Sequence, residues 1–91
     1  MTDIIIRQMP TFRKTYKKLH ANDKVTVNAA ISAIVQNPSI GQEKKGDLAG
    51  VFVYKFMGRS TEKLLAYEWN ATERLLLALG VHENFYRDLK K

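Results

Sequence analysis

VFVYKFMGRSTEKLLAYEWNATERLLLALGV, residues Val51 to Val81, is the stretch on which the fold turns. Val51 to Met57 alternates and is β-branched or aromatic, which predicts a strand. Lys63 to Trp69 and Arg74 to Val81 predict two more. Gly58-Arg59-Ser60-Thr61 and Asn70-Ala71-Thr72-Glu73 separate them and carry turn chemistry. Three strands joined by turns this short pair as an antiparallel meander. Phe52, Tyr54 and Phe56 share one face of the first strand, and Val51, Val53, Lys55 and Met57 the other. The aromatic row is assigned to the core. On the last strand Leu75, Leu77, Leu79 and Val81 are expected under the helices, with Arg74, Leu76, Ala78, Gly80 and His82 on the open face. Lys55 then shares that open face with His82, provided no bulge interrupts the alternation.

Upstream of the meander, Asp3 to Gln8 is Ile-rich and predicts a first strand. Pro10 and Thr11 open a helix, with Thr11 the candidate N-cap. Phe12, Tyr16 and Leu19 form its apolar stripe, while Arg13, Lys14, Lys17 and Lys18 take the other side. After Ala21-Asn22-Asp23 a second helix turns Val27, Ile31, Ile34 and Val35 inward, and Asn37-Pro38 stops it. Two helices joined by so few residues predict an antiparallel hairpin. Pro38 to Gly50, with Ser39, Gly41, Lys44, Lys45, Gly46 and Asp47, is a basic loop. The expected order is therefore β-α-α-β-β-β: an α+β fold, an antiparallel sheet with an N-terminal helical hairpin packed on one face. Residues 1–91 read as a single domain, since no repeat, linker or low-complexity segment divides them.

The chain has 91 residues, 45% of them apolar, enough for a modest core. It contains no cysteine, which excludes disulfides, thiolate catalysis and cysteine-based zinc sites, and suits a reducing cytoplasm. The apolar run Ile4-Ile5-Ile6 is too short for a signal peptide, and no segment approaches transmembrane length. Asn70-Ala71-Thr72 matches a glycosylation sequon, but it reads as a hairpin turn. His20 and His82 are far apart and lack a nearby carboxylate pattern, so no metal is expected. No Gly-rich phosphate loop and no Ser-His-Asp arrangement is present.

The net charge is +6. It gathers at Arg13, Lys14, Lys17 and Lys18; at Lys44, Lys45, Lys55, Arg59 and Lys63; and at Arg87, Lys90 and Lys91. A solvated surface accounts for such charge, and so does a polyanion-binding face or an acidic protein partner. The tail decides the emphasis. Gly80-Val81-His82-Glu83-Asn84-Phe85-Tyr86-Arg87 puts a histidine, aromatic rings and an arginine directly after an apolar strand. Proton transfer, base stacking and phosphate neutralisation within one segment point to RNA.

Lys45-Gly46-Asp47-Leu48, Val51-Phe52-Val53-Tyr54-Lys55-Phe56, Leu64-Leu65-Ala66-Tyr67-Glu68-Trp69 and Ala78-Leu79-Gly80-Val81-His82-Glu83-Asn84-Phe85-Tyr86 together resemble the RelE/ParE superfamily of bacterial type II toxins. The resemblance covers nearly the whole chain. It implies the toxin component of a toxin–antitoxin system, held in a heteromeric complex by an acidic antitoxin whose C-terminal segment wraps it. RelE-like members enter the A site of the 70S ribosome and cut mRNA, using the message's own 2′-hydroxyl and no metal or cofactor. ParE-like members instead poison DNA gyrase. The RNA-cleaving branch is favoured residue by residue. His82 falls where histidine-using members carry a catalytic histidine. Lys55 falls on the strand that bears functional lysines, and Tyr86 or Phe85 supplies the C-terminal aromatic. The arginine of RelE-like members at the start of the next strand is absent. Leu64 stands nearest to it, with Lys63 or Arg59 as the substitute.

The expected roles follow. Cleavage by the 2′-oxygen needs a base, charge on the crowded phosphate, and an acid for the leaving 5′-oxygen. His82, Lys55 and Tyr86 form the expected catalytic set: His82 as base or acid, and Tyr86 stacking on a base of the RNA. Arg59, Lys63, Arg87, Lys44 and Lys45 are expected to hold phosphates, and Arg13, Lys14, Lys17 and Lys18 to contact the ribosome or the antitoxin. Each has a plainer reading: a strand-end histidine, a packing tyrosine, surface charge. Two alternatives stay open: a ParE-like gyrase poison, and a non-catalytic RNA- or protein-binding module of the same fold.

Overall fold

A computed structural model describes residues 3–58 and 61–81. The chain runs β1 (Ile5–Gln8), α1 (Pro10–Lys17), α2 (Ala21–Gln36), β2 (Gln42–Glu43), β3 (Phe52–Met57), β4 (Glu62–Trp69) and β5 (Glu73–Gly80), with single 3-10 turns at Pro38–Ile40 and Gly46–Leu48. The α+β fold matches expectation, and the strands lie in the order β1-β5-β4-β3-β2. Two details differ. The basic loop contributes β2, a two-residue edge strand antiparallel to β3. And β1 runs parallel to β5, so the sheet is mixed. The helices carry the chain from β1 across to the far edge. The meander then returns strand by strand and ends beside β1.

α1 starts two residues earlier than an N-cap at Thr11 predicts. Met9 is the N-cap and Pro10 the first helical residue. Proline's fixed φ suits that position and its missing N–H costs nothing there. Thr11 lies inside the helix, where its carbonyl accepts from the Thr15 hydroxyl. α2 ends before Pro38, and Arg74 completes its last turn. The Arg74 guanidinium, 4% exposed, donates to Ile34 O at 3.2 Å and Val35 O at 3.0 Å. It also donates to Asn70 O at 2.8 Å and Glu73 O at 3.0 Å in the β4–β5 turn. That turn is built by Asn70, whose side-chain oxygen accepts from the Thr72 and Glu73 amides. The sequon is thus a turn, as read.

Between helices and sheet lie Phe12, Val27, Ile34, Leu65, Tyr67, Leu76 and Leu79, with Tyr16, Leu19, Ile31 and the Phe52, Tyr54, Phe56 row packed against them. Each buried side chain of this size contributes about 1.5–3 kcal/mol. A second cluster, Leu48, Val51, Val53, Leu64, Ala66 and Ala78, with Leu77 packed against it, occupies the opposite face. The two clusters correct the expected parity of β5. Ala66 pairs with Ala78 and Tyr67 with Leu76, so Leu77 is an extra residue in a bulge. Before the bulge, Arg74 and Leu76 lie under the helices and Leu75 on the open face. Beyond it, Leu79 lies under the helices with Leu65. Leu75 and Leu77 are therefore not core residues of the helix side, and Val81 is 42% exposed.

Candidate active face

The open face of the sheet is set by the alternation of β3. Val51 and Val53 pack into the second cluster, and Lys55, two residues on, is exposed on the same side. Lys55 pairs with Leu64, and Leu64 with Gly80. The three make one row across β3, β4 and β5. At about 4.8 Å per strand, Lys55 stands about 10 Å from Gly80, where β5 delivers the chain toward position 82. The bulge lies before Gly80, so it flips the first half of β5 and leaves this row intact.

Along β3 in the other direction, the Lys44 amide donates to Val51 O at 2.8 Å. Four residues of strand place Lys44 about 13 Å from Lys55. Lys45 follows, exposed, as the cap of the Gly46–Leu48 turn. Gly46 has φ +69, a left-handed conformation that glycine adopts without strain, and Leu48 then drops into the open-face cluster. Lys44 and Lys45 thus stand at the sheet edge and Lys55 on its face.

The far end of this face has the opposite sign. Glu68 and Leu75 are cross-strand partners, and Arg7 pairs with Leu75. Arg7 Nε binds Glu73 Oε2 at 2.7 Å, which neutralises that arginine and leaves Glu68 exposed beside it. The end of the face that bears Lys55 is thereby the more positive one.

Lys63 and the four cations of the first helix are not brought to this face. Lys63 pairs with Phe56, which faces the helices, so Lys63 lies on the side opposite Lys55. A Cβ placed on Gly58 would come within 2.8 Å of Lys63 Cε, so the lysine stem lies over that glycine. Arg13, Lys14, Lys17 and Lys18 are exposed on α1, on the helix side, and none forms an ion pair with a described residue. His82, Tyr86, Arg87 and Arg59 lie outside the described residues. No three His, Cys, Asp or Glu side chains come together among the described residues. Nor is any described helix long and apolar enough to cross a membrane.

Two residues went unsingled in the sequence. Arg74 was visible as a lone cation heading an apolar run, but its target, the end of α2, is a long-range contact. Tyr67 is fully buried. Its hydroxyl donates to Pro38 O at 2.6 Å and accepts from the Gly41 amide at 3.0 Å. Burial raises its pKa above the ordinary 10.0, more than the Gly41 hydrogen bond and the Arg74 charge lower it, so it stays a neutral phenol.

Solved structures share this architecture. The E. coli RelE toxin in the intact RelBE toxin–antitoxin complex superposes with a TM-score of 0.71 at 16% identity, covering 88% of this chain and 98% of that one. The Mycobacterium tuberculosis RelBE2 complex gives 0.69 at 21% identity, over 89% and 100% of the two chains. A YoeB/ParE toxin from Agrobacterium tumefaciens gives 0.67 at 17%, over 87% and 99%. At such identities the likeness is one of fold. No curated protein sequence matches the chain significantly. The model of the ParE-like toxin of type II bacterial toxin–antitoxin systems, however, matches residues 6–90. The chain belongs to that family, and it is a toxin of the RelE/ParE fold.

Proposed function

We propose that this toxin cuts mRNA in the A site of the translating ribosome. The observation that carries the reading is the Lys55–Leu64–Gly80 row. It sets an exposed cation on the same face and level as the strand end that leads into His82. In the reaction, His82 takes the proton of the 2′-hydroxyl or gives one to the leaving group. The 2′-oxygen attacks the adjacent phosphorus and the bond to the 5′-oxygen breaks. The products are a 2′,3′-cyclic phosphate and a protonated 5′-hydroxyl, so protons and electron pairs balance without a co-reactant. Lys55 neutralises the crowded phosphate, and Tyr86 stacks on a neighbouring base. Lys44, Lys45 and Arg87 extend the grip along the backbone. An acidic antitoxin laid over the same cations neutralises them and blocks RNA. Both ribosome and antitoxin place the protein in the cytoplasm.

The test is primer extension on a message translated in a purified bacterial system, with wild type, Lys55→Ala, His82→Ala and a ribosome-free control. Ribosome-dependent cuts that fade in both variants support the reading. The ParE-like description of the matching family favours a second reading, poisoning of DNA gyrase. Intact message with toxicity retained selects that reading, and intact message without toxicity selects a binding module.

A further inference from the structure

The segment carrying Lys44 and Lys45 passes around the edge of the sheet. It leaves α2 at Pro38 on the helix side and reaches the open face at Leu48. A two-residue ladder, Gln42 with Val53 and Glu43 with Phe52, and the Lys44 amide bond to Val51 O tie its middle to the β3 strand. A ladder that short is marginal by itself. Behind it stands Tyr67, whose buried hydroxyl bonds both Pro38 O and the Gly41 amide. These groups flank the turn that feeds β2, and they lie 29 and 26 residues from Tyr67 in sequence. The fit leaves no slack. A Cβ on Gly41 would sit 2.7 Å from the Tyr67 hydroxyl and 3.0 Å from Val53 O. Only glycine lets the loop come this close.

We propose that Tyr67 is a positioning residue for RNA binding: gripping Pro38 and Gly41 from inside the core, it fixes where Lys44 and Lys45 stand at the edge of the active face. This rests on the RNA-cleaving reading and names a buried group through which that site is set. Tyr67 touches no RNA. It acts by holding a short edge strand in register, so that the backbone from which the two lysines project stays at one place, with less freedom to lose on binding.

The test uses the full chain and ribosomes programmed with a message whose A-site codon is 2′-O-methylated and cannot be cut. Affinity is measured for wild type, Tyr67→Phe, Lys44→Ala/Lys45→Ala, and the triple variant, at several salt concentrations. Circular dichroism confirms that each is folded. Tyr67→Phe is expected to weaken binding about tenfold and to lower the salt slope by about 1 for each lysine whose phosphate is lost. In the double-lysine background it is expected to change nothing, because the groups it positions are gone. Gly41→Ala, which separates the same contact from the other side, should reproduce the effect. Amide exchange at Lys44 should quicken about tenfold in Tyr67→Phe, with Leu65 in the core unchanged. Equal loss in both lysine backgrounds, or no loss in either, overturns this inference alone. Wild-type protein that does not bind the programmed ribosome overturns the RNA reading and this inference with it.

Discussion

Replacing Arg74 by methionine should destabilise the fold by about 3–4 kcal/mol, and the number follows from what its guanidinium holds. Ile34 O would ordinarily accept from the amide four residues later, but that residue is Pro38, which has no N–H. Arg74 Nε supplies the missing donor, and its terminal nitrogens reach Val35 O and the turn carbonyls of Asn70 and Glu73. A hydrogen bond from a charged donor is worth about 1.5–3 kcal/mol, and a buried acceptor left alone costs about 1–3 kcal/mol. Glu73 O keeps a second partner in the Asn70 amide, so it is spared. Against these gains stands the cost of burying an arginine that is 4% exposed with no carboxylate partner among the described residues, which removes roughly half of the sum. The cation also sits at the negative end of α2, worth a few tenths to about 1 kcal/mol.

For a domain whose total stability is about 5–14 kcal/mol, that loss is large. Urea denaturation of Arg74→Met should show a midpoint lower by about 2 M with an unchanged slope. Methionine keeps the apolar stem, so the loss reports the guanidinium, including its contact over the Trp69 ring, whose centroid lies 5.9 Å from Cζ. Arg74→Lys should recover less than half, since a point charge cannot fork between a helix end and a turn. A loss under about 1 kcal/mol in Arg74→Met would refute the reasoning, showing that water satisfies these carbonyls.

On the proposed mRNA-cleaving reading, Lys55→Ala should lower cleavage by about 10²–10³-fold while shifting stability by less than about 0.5 kcal/mol, because on that reading this exposed cation acts on the transition state and not on the fold; parallel cleavage and urea measurements check both. Tyr67 titrates above its ordinary 10.0, so its contribution to stability is complete below pH 10 and is lost as pH rises through the folded value. Wild type should therefore lose stability above pH 10 more steeply than Tyr67→Phe in alkaline unfolding curves. Arg7→Ala should cost about 0.5 kcal/mol or less at moderate salt, since Arg7 in the Glu73 pair is 66% exposed; thermal melts in low and high salt test it.

Local pattern carried much of the architecture. The aromatic alternation of Phe52, Tyr54 and Phe56 names the helix side of β3, and the 3.6-residue stripe of Phe12, Tyr16 and Leu19 names the buried side of α1. What pattern does not carry is partnership at a distance. The parallel pairing of β1 with β5 depends on which strand edge is free when the meander closes. The two-residue β2 is too short to have a period. The face of Lys55 was legible because strand parity fixes it. That of Lys63 was not, because it follows from pairing with Phe56, which puts Lys63 across the sheet from Lys55.

The bulge in β5 explains why one strand can serve both faces. Strict alternation would put Arg74, Leu76, Ala78 and Gly80 together, and no single face suits all four. Arg74 needs the open carbonyls at the end of α2, and Leu76 needs the helix-side core; both demand one side. Ala78 and Gly80 belong to the opposite side, where they pair with Ala66 and Leu64. Inserting Leu77 as an unpaired residue reconciles these demands. It adds an apolar side chain to the open-face cluster and shifts the remaining strand by one position. The stabilising end of β5 and the end that opens onto the candidate active face are thereby set independently. The sequence signal for this is faint: three leucines in a row, Leu75 to Leu77, where an alternating strand would have had a break.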